Sequence, residues 1–305
     1  MKDQRRAYMY AALVVLLWST VPTAFKLSLR RVDYIQLLFY SSVFSCLLLG
    51  LILAARRRLV GVLRAVPCEW RRSLALGILN PFLYYLVLFK AYELLPAQMA
   101  QPLNYTWAIA LALLSVPLLG QKLGRAGLAG GLLSYVGVWV ISTRGDVLGL
   151  RLANPLGVAL ALGSAFIWAF YWIQNTRDDR DPVERLFLNF VMGLPLVFAA
   201  CALFSDFRVG LSAALALSAY VGVVEMGLTF VLWLSALRLA SSAARVGYLI
   251  FVAPFLSFVL IHYVLGEDIL PSTYAGLALI LVGLVLQRQA TGPRARGLTS
   301  PEISP

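Results

Sequence analysis

"GILNPFLYYLVLFK", residues 77–90, has the composition of a membrane span with a polar interruption inside it. Leu, Ile, Val and Phe suffice to fill a helix that crosses hydrocarbon. Asn80 and Pro81 nevertheless break the run, and Tyr84 and Tyr85 follow one turn later. In water such a stretch is an ordinary core helix. In a bilayer an unpartnered polar group facing lipid is costly, so an amide and two phenols mark a face turned away from lipid. The fold therefore depends on which solvent surrounds this stretch.

The rest of the chain answers that question. Of its 305 residues 61% are hydrophobic and only 13% are charged, and the mean hydropathy is +0.82. A soluble domain carries about 25% charged and about 45–50% apolar residues, so this chain lacks the polar surface to dissolve in water. Ten apolar stretches follow one another: 7–27, 33–54, 73–93, 97–118, 124–142, 154–176, 184–204, 212–237, 241–264 and 272–289. Each is near the roughly 20 residues an α-helix needs to cross hydrocarbon. The alternating ten-residue strands of a membrane β-barrel are absent. The chain reads as an all-α integral membrane protein with ten transmembrane helices.

The N-terminal "MKDQRR" precedes an apolar run, but no small-x-small cleavage pattern follows, so the run reads as a retained first helix. Cys46, Cys68 and Cys201 have no metal-ligand spacing and read as thiols. The net charge of +12 is distributed by position. With the N-terminus inside, eighteen basic residues fall on the inner side: Lys2, Arg5, Arg6, Arg56, Arg57, Arg58, Arg64, Arg71, Arg72, Lys122, Arg125, Arg177, Arg180, Arg185, Arg238, Arg288, Arg294 and Arg296. Five fall outside: Arg30, Arg31, Arg144, Arg151 and Arg208. That bias puts both termini in the cytoplasm and makes the charge a topology signal rather than a nucleic-acid footprint. The tail 291–305, rich in Pro, Gly and Ser, reads as a disordered cytoplasmic segment.

The halves resemble each other in order. "LLW" at 16–18 answers "FIW" at 166–168, and "DYIQLLFYSSV" at 33–43 answers "DPVERLFLNFV" at 181–191. "AYELLPAQ" at 91–98 aligns with "ALRLASSA" at 236–243, and "LGQKLGRAGLAG" at 119–130 with "LGEDILPSTYAG" at 265–276. The division is a first five-helix repeat at 1–149 and a second at 150–290. Because five is odd, the second copy enters the membrane inverted. That is the plan of secondary transporters, with a central cavity between the halves.

Ten helices as a five-plus-five repeat, Trp18-Ser19 in the first span, and "LGQKL" and "LGED" followed by glycines in spans five and ten resemble the drug/metabolite transporter superfamily, EamA-type branch. Within it the chain is most similar to the YddG-type aromatic amino-acid exporters of bacteria. The resemblance covers residues 7–289. It implies a multi-pass protein of the bacterial inner membrane that exports small metabolites. The sequence departs from the family's Gly-Glu pair at Gln121 and keeps it at Gly266-Glu267. An acid there complements a helix dipole, so its loss bears on stability rather than substrate choice.

Mid-span polar and aromatic residues are the candidate site. They are Trp18 and Ser19 in span one, Asn80 and Tyr84 in span three, and Gln101 and Tyr105 in span four. The later spans add Trp168 and Trp172 (six), Glu225, Thr229 and Trp233 (eight), and Tyr248 beside Arg245 (nine). An offset of 145 pairs Asn80 with Glu225 and Tyr84 with Thr229. Blander readings compete. Ser19 and Thr20 can bond their own helix backbone; Trp70, Tyr8, Tyr220 and Tyr274 can form interfacial belts; and the glycines of span five can simply pack. Glu225, the one carboxylate near a span's centre, is a functional candidate by default, as a coupling group, a partner of Arg245 or a holder of a substrate amine. Lys90 and Glu93 read as a structural pair.

Aromatic faces, amides and one or two charges suit aromatic and other large neutral amino acids. A lipophilic-cation or multidrug exporter is the main alternative. An intramembrane enzyme is remote, because no HExxH, GxSxG or paired acids occur in mid-span, and so is a receptor without transport. No cofactor or metal is called for. The partners implied are a small-molecule substrate and membrane lipids, with no nucleic acid and no obligate protein partner.

Overall fold

The computed structural model describes residues 3–120, 124–149, 152–175, 177–210, 212–241, 246–247 and 249–290, the side chains of 288–290 excepted. Every regular element among them is helical. Eight helices are long and apolar enough to cross a membrane, and two shorter apolar helices, Leu249–Leu265 and Pro271–Gln287, lie where the ninth and tenth stretches were read. Large apolar side chains such as Leu51, Leu132 and Phe204, at 68%, 69% and 76% exposure, stand on the outer surface. An apolar exterior of that kind fits lipid, not water. The protein is a multi-pass membrane protein.

In chain order the helices are α1 (Gln4–Leu29), α2 (Tyr34–Ala55), α3 (Leu59–Gly77), α4 (Tyr84–Leu94), α5 (Ala97–Tyr105), α6 (Trp107–Leu119), α7 (Arg125–Ser142), α8 (Pro155–Asn175), α9 (Pro182–Phe204), α10 (Ala213–Tyr220), α11 (Thr229–Leu239), α12 (Ala253–Leu265) and α13 (Pro271–Ala290). Local chemistry sets many of the ends. Asp33 accepts from the Ile35 and Gln36 amides at the start of α2, and Asp181 accepts from those of Val183 and Glu184 at the start of α9. Gly120 (φ 66°) ends α6 and Gly266 (φ 71°) ends α12, both in the left-handed conformation a glycine adopts without strain.

The third span begins earlier than its apolar run suggests. Arg64, Glu69, Arg71 and Arg72 end the hydrophobic composition, yet the helix continues through them to Leu59. Charges beyond the hydrocarbon interrupt a composition without interrupting a helix. Several are paired: Glu69 with Arg180 at 3.3 Å, Arg72 with Asp178 at 3.3 Å, and Arg58 with Glu184 at 2.9 Å. Burial works against the Asp178 charge in the loop before α9. The hydrogen bond and charge of Arg180, with Arg185 nearby, outweigh it and hold that carboxyl below its usual range.

Four spans are not simple α-helices. A π-helical segment, Ile78–Leu83, joins α3 to α4, and Asn80 inside it is extended (φ −144°, ψ 116°). A second, Val221–Leu228, joins α10 to α11. Span four breaks at Thr106 between α5 and α6, and a 3-10 turn, Leu249–Val252, precedes α12.

Small residues decide the closest packing. A Cβ built on Gly130 would lie 2.4 Å from the Gly283 carbonyl, and one on Gly283 would lie 2.3 Å from that of Gly130. Gly137 and Gly276 are related the same way, at 2.4 and 2.6 Å. Two further crossings are as close: a Cβ on Gly77 would lie 2.5 Å from the Asn189 carbonyl of α9, and one on Gly222 would lie 2.2 Å from the Ser41 carbonyl of α2. Lipid tails are as apolar as leucine, so such backbone approach is how membrane helices gain contact.

Gly283→Leu therefore forces α7 and α13 apart, at a cost of about 1–3 kcal/mol or more. We expect purified protein to melt several degrees lower or to lose monodispersity. Gly163→Ala, at a position with nothing within 4 Å, should leave the melt unchanged.

Candidate functional site

The broken spans surround one cavity holding about 1090 Å³ of empty space, its open side included. Each wall follows from helix phase. From α1 come Trp18, Val21, Pro22 and Phe25; from α4, Tyr84, Leu88 and Tyr92; from α5 and α6, Gln101, Asn104, Tyr105, Trp107 and Leu111. From α8 come Trp168 and Trp172, and from the second π segment and α11 come Glu225, Phe230 and Trp233. Gly247 and Ile250 complete it.

Aromatic rings form a nearly continuous belt. Tyr84 stacks on Trp168 at 4.4 Å and 25°, and Trp168 meets Phe230 (5.6 Å) and Trp172 (5.9 Å) at steep angles. Trp18 meets Phe230 at 6.4 Å and Trp233 at 5.7 Å, so rings from α1, α4, α8 and α11 touch in series. Each such pair contributes about 0.5–1.5 kcal/mol beyond burial, which keeps these faces fixed in the absence of solute.

Glu225 carries the single carboxyl group among the described lining residues. Tyr85 donates its neutral hydroxyl to Glu225 Oε1 at 3.3 Å, and Trp18 lines the same cavity.

The candidate residues separate on this geometry. Trp18, Tyr84, Gln101, Tyr105, Trp168, Trp172, Glu225 and Trp233 line the cavity together. Ser19, Asn80 and Thr229 do not. Ser19 is buried and donates to the Leu16 carbonyl of its own helix at 2.6 Å. Thr229 is fully buried and donates to Val224 and Glu225 carbonyls freed by the π segment, at 2.7 and 3.0 Å. Asn80 is fully buried where the π segment packs on α9, and neither side-chain polar atom has a partner. Arg245 and Tyr248 lie outside the described residues, as do Gln121 and the tail 291–305. Lys90 and Glu93 form an ion pair away from the cavity. Tyr220, read as a belt residue, shares a hydrogen bond with Thr20 at 2.5 Å.

Phe25, Leu88, Tyr92 and Phe230 line the cavity without having been singled out. Apolar residues carry no mark in an apolar sequence; only the helix phase relative to Tyr84 and Trp18 could have found them.

At the end near Phe25 and Tyr92 a polar network ties the walls. Lys26 Nζ donates to the Tyr92 and Leu95 carbonyls at 2.7 and 2.9 Å. Glu267 accepts from the Ala97 and Gln98 amides at 2.9 and 3.2 Å, capping α5 rather than the helix that follows it in sequence. Gln98 completes the tie, donating to the Asp268 carbonyl at 2.8 Å and accepting from the Leu270 amide at 2.9 Å.

Comparison with known proteins follows the same lines. The EamA-like transporter profile matches residues 5–143 and 155–288. The chain belongs to the EamA-like transporter family. It is 29% identical over 187 residues to a protein of Ancylobacter novellus named aromatic amino acid exporter YddG, covering 61% of this chain and 64% of that one. The chain thus spans just under two thirds of that relative's length. It is 24% identical over 266 residues to an uncharacterized transporter of Archaeoglobus fulgidus, covering 86% and 90% of the two chains. A solved crystal structure superposes with a TM-score of 0.67 at 24% identity, covering 94% of this chain and 98% of the other.

Glu267→Ala removes a charged helix cap, which costs about 0.5–2 kcal/mol. The expected result is a melting temperature lower by a few degrees, with the order of preference among transported solutes unchanged. A changed order would make Glu267 part of recognition instead.

Proposed function

We propose that the protein is a secondary transporter that exports small amphipathic metabolites, aromatic and other large neutral amino acids foremost, by alternating access. The observation that carries this is the belt of Trp, Tyr and Phe rings around a cavity with one carboxylate. Such a wall matches a solute with a flat apolar group at one end and a polar group at the other. Support comes from the name of the Ancylobacter novellus relative. The proposed substrate-contacting residues are the eight candidates that line the cavity.

The architecture we infer is two inverted five-helix repeats, 1–149 and 150–290, with both termini cytoplasmic in a bacterial inner membrane. The family match in two stretches, 5–143 and 155–288, supports that division. So does the reciprocal packing of glycines: with 130 equivalent to 276 and 137 to 283, each contact is the other's mirror under a two-fold axis. The π segments also recur at matching positions, 78–83 and 221–228. Rocking of one half against the other would open the cavity to alternate sides.

Protein in liposomes preloaded with unlabelled tryptophan should accumulate labelled tryptophan by counterflow. Tyr105→Ala should slow it by about two- to tenfold without loss of folded protein. Absence of counterflow with every aromatic amino acid overturns the substrate assignment. For the orientation, Gln4→Cys and Ser300→Cys are introduced into a chain whose three native cysteines are replaced by Ser. Both should resist an impermeant thiol reagent on intact cells; ready labelling of both reverses the topology.

A further inference from the structure

The hydrogen bonds around the cavity have a direction, and it constrains which end of a solute they hold. Ser257 Oγ donates to the Ala253 carbonyl at 2.9 Å, which uses its one proton. It can then only accept from Gln101, whose Nε2 lies 2.7 Å away. The Gln101 amide is thereby oriented with Oε1 left over, buried and without a partner. Asn104 repeats the logic. Ser164 Oγ donates to the Ala161 carbonyl at 2.7 Å and accepts from Asn104 Nδ2 at 3.0 Å. Asn104 Oδ1 remains, with only a long contact of 3.4 Å from the Tyr84 hydroxyl.

Ser257 and Ser164 thus each hold an amide nitrogen and leave the amide oxygen without a serine partner. Glu225 adds a carboxyl group with one neutral donor, Tyr85, and further lone pairs to offer. The cavity's described polar wall carries the hydroxyls of Tyr84, Tyr92 and Tyr105 and the unpartnered Trp172 Nε1 as donors, and its one carboxyl group, Glu225, is the acceptor with most spare capacity. A carboxylate near Glu225 meets a second carboxyl group and the Asn104 amide oxygen. An ammonium meets acceptors with unused capacity, with aromatic faces beside them.

We propose that the cavity recognises its solute by the ammonium group, so that aryl-alkyl monoamines lacking a carboxylate are ligands at least as good as the aromatic amino acids. This deepens the reading of the protein as an exporter of aromatic amino acids and rests on the same cavity. Glu225 is the principal anchor, Gln101 Oε1 and Asn104 Oδ1 are auxiliary acceptors, and Ser257 and Ser164 are positioning residues that set which atom the amides present.

The test is competition against tryptophan counterflow in liposomes by two analogues that each lack one polar group, tryptamine and indole-3-propionate. Direct binding of labelled tryptamine to the purified protein is measured in parallel. Tryptamine should inhibit at a concentration no higher than tryptophan does, and indole-3-propionate should need about tenfold more or worse. Glu225→Gln should collapse that preference. Ser257→Ala, which touches no solute, should narrow it by releasing the Gln101 amide, with folding checked by the thermal melt. If tryptophan moves and indole-3-propionate competes as well as tryptamine, the ammonium proposal falls alone. If tryptophan gives no counterflow but tryptamine binds and Glu225→Gln weakens it, the amino-acid reading falls and the ammonium proposal stands. If neither moves nor binds, both are wrong.

Discussion

Hydrocarbon offers no hydrogen bonds, and the rest of this structure depends on that constraint. Every polar group in a span must find its partner inside the protein. Side chains in the spans do so by three routes, whereas the Asn80 amide has no partner among the described residues. Ser19, Ser28, Ser115 and Thr106 bond carbonyls of their own helix. Ser41 and Ser134 reach carbonyls of a neighbouring one. Gln101, Asn104 and Glu225 gather around a cavity. The third route is the one with chemical consequences, because groups facing a cavity keep capacity for a ligand. Irregular backbone follows the same rule: both π segments and the Thr106 break lie within the bundle, where freed carbonyls meet side chains such as Thr229 rather than lipid.

That constraint also explains how far the sequence could be read. Polarity in mid-span marks the interior, and the helical character, the membrane setting and most of the aromatic cavity wall follow from composition and spacing alone. Asn80 and Thr229 fail for one shared reason. Asn80 with Tyr84, and Glu225 with Thr229, share a face only on an ideal α-helix. A π segment lies at the start of each pair and widens the turn, rotating one member away from the other. Tyr85, not Tyr84, reaches Glu225 as a result. Nothing in "NPFLYY" distinguishes a Pro-induced kink from a π turn. Ser19 fails because a hydroxyl in a helix has a carbonyl within reach whatever surrounds it.

The two ends of the molecule are held differently. At the end with Arg58, Arg72 and Arg180, side-chain ion pairs join α3 and its N-cap to α9 and the loop before it. At the other, Lys26, Gln98 and Glu267 bond mainly to backbone carbonyls and amides. Backbone bonds of this kind depend on the walls being close. For the alternating access proposed above, that network is what must break. Its charged members carry the largest share, because a charge-assisted bond is worth roughly twice a neutral one.

The central claim is that the aromatic cavity is where solute sits, ammonium toward Glu225. The most direct measurement is an experimental structure with a bound bromotryptophan or bromotryptamine, whose heavy atom locates the ring without ambiguity. The ring is expected between Trp18 and Trp168 and the nitrogen about 3 Å from the Glu225 carboxylate, with occupancy lost in Glu225→Gln. Density on the lipid-facing surface, or a ring in the cavity with its nitrogen turned away from Glu225 and occupancy unchanged in the variant, would contradict it.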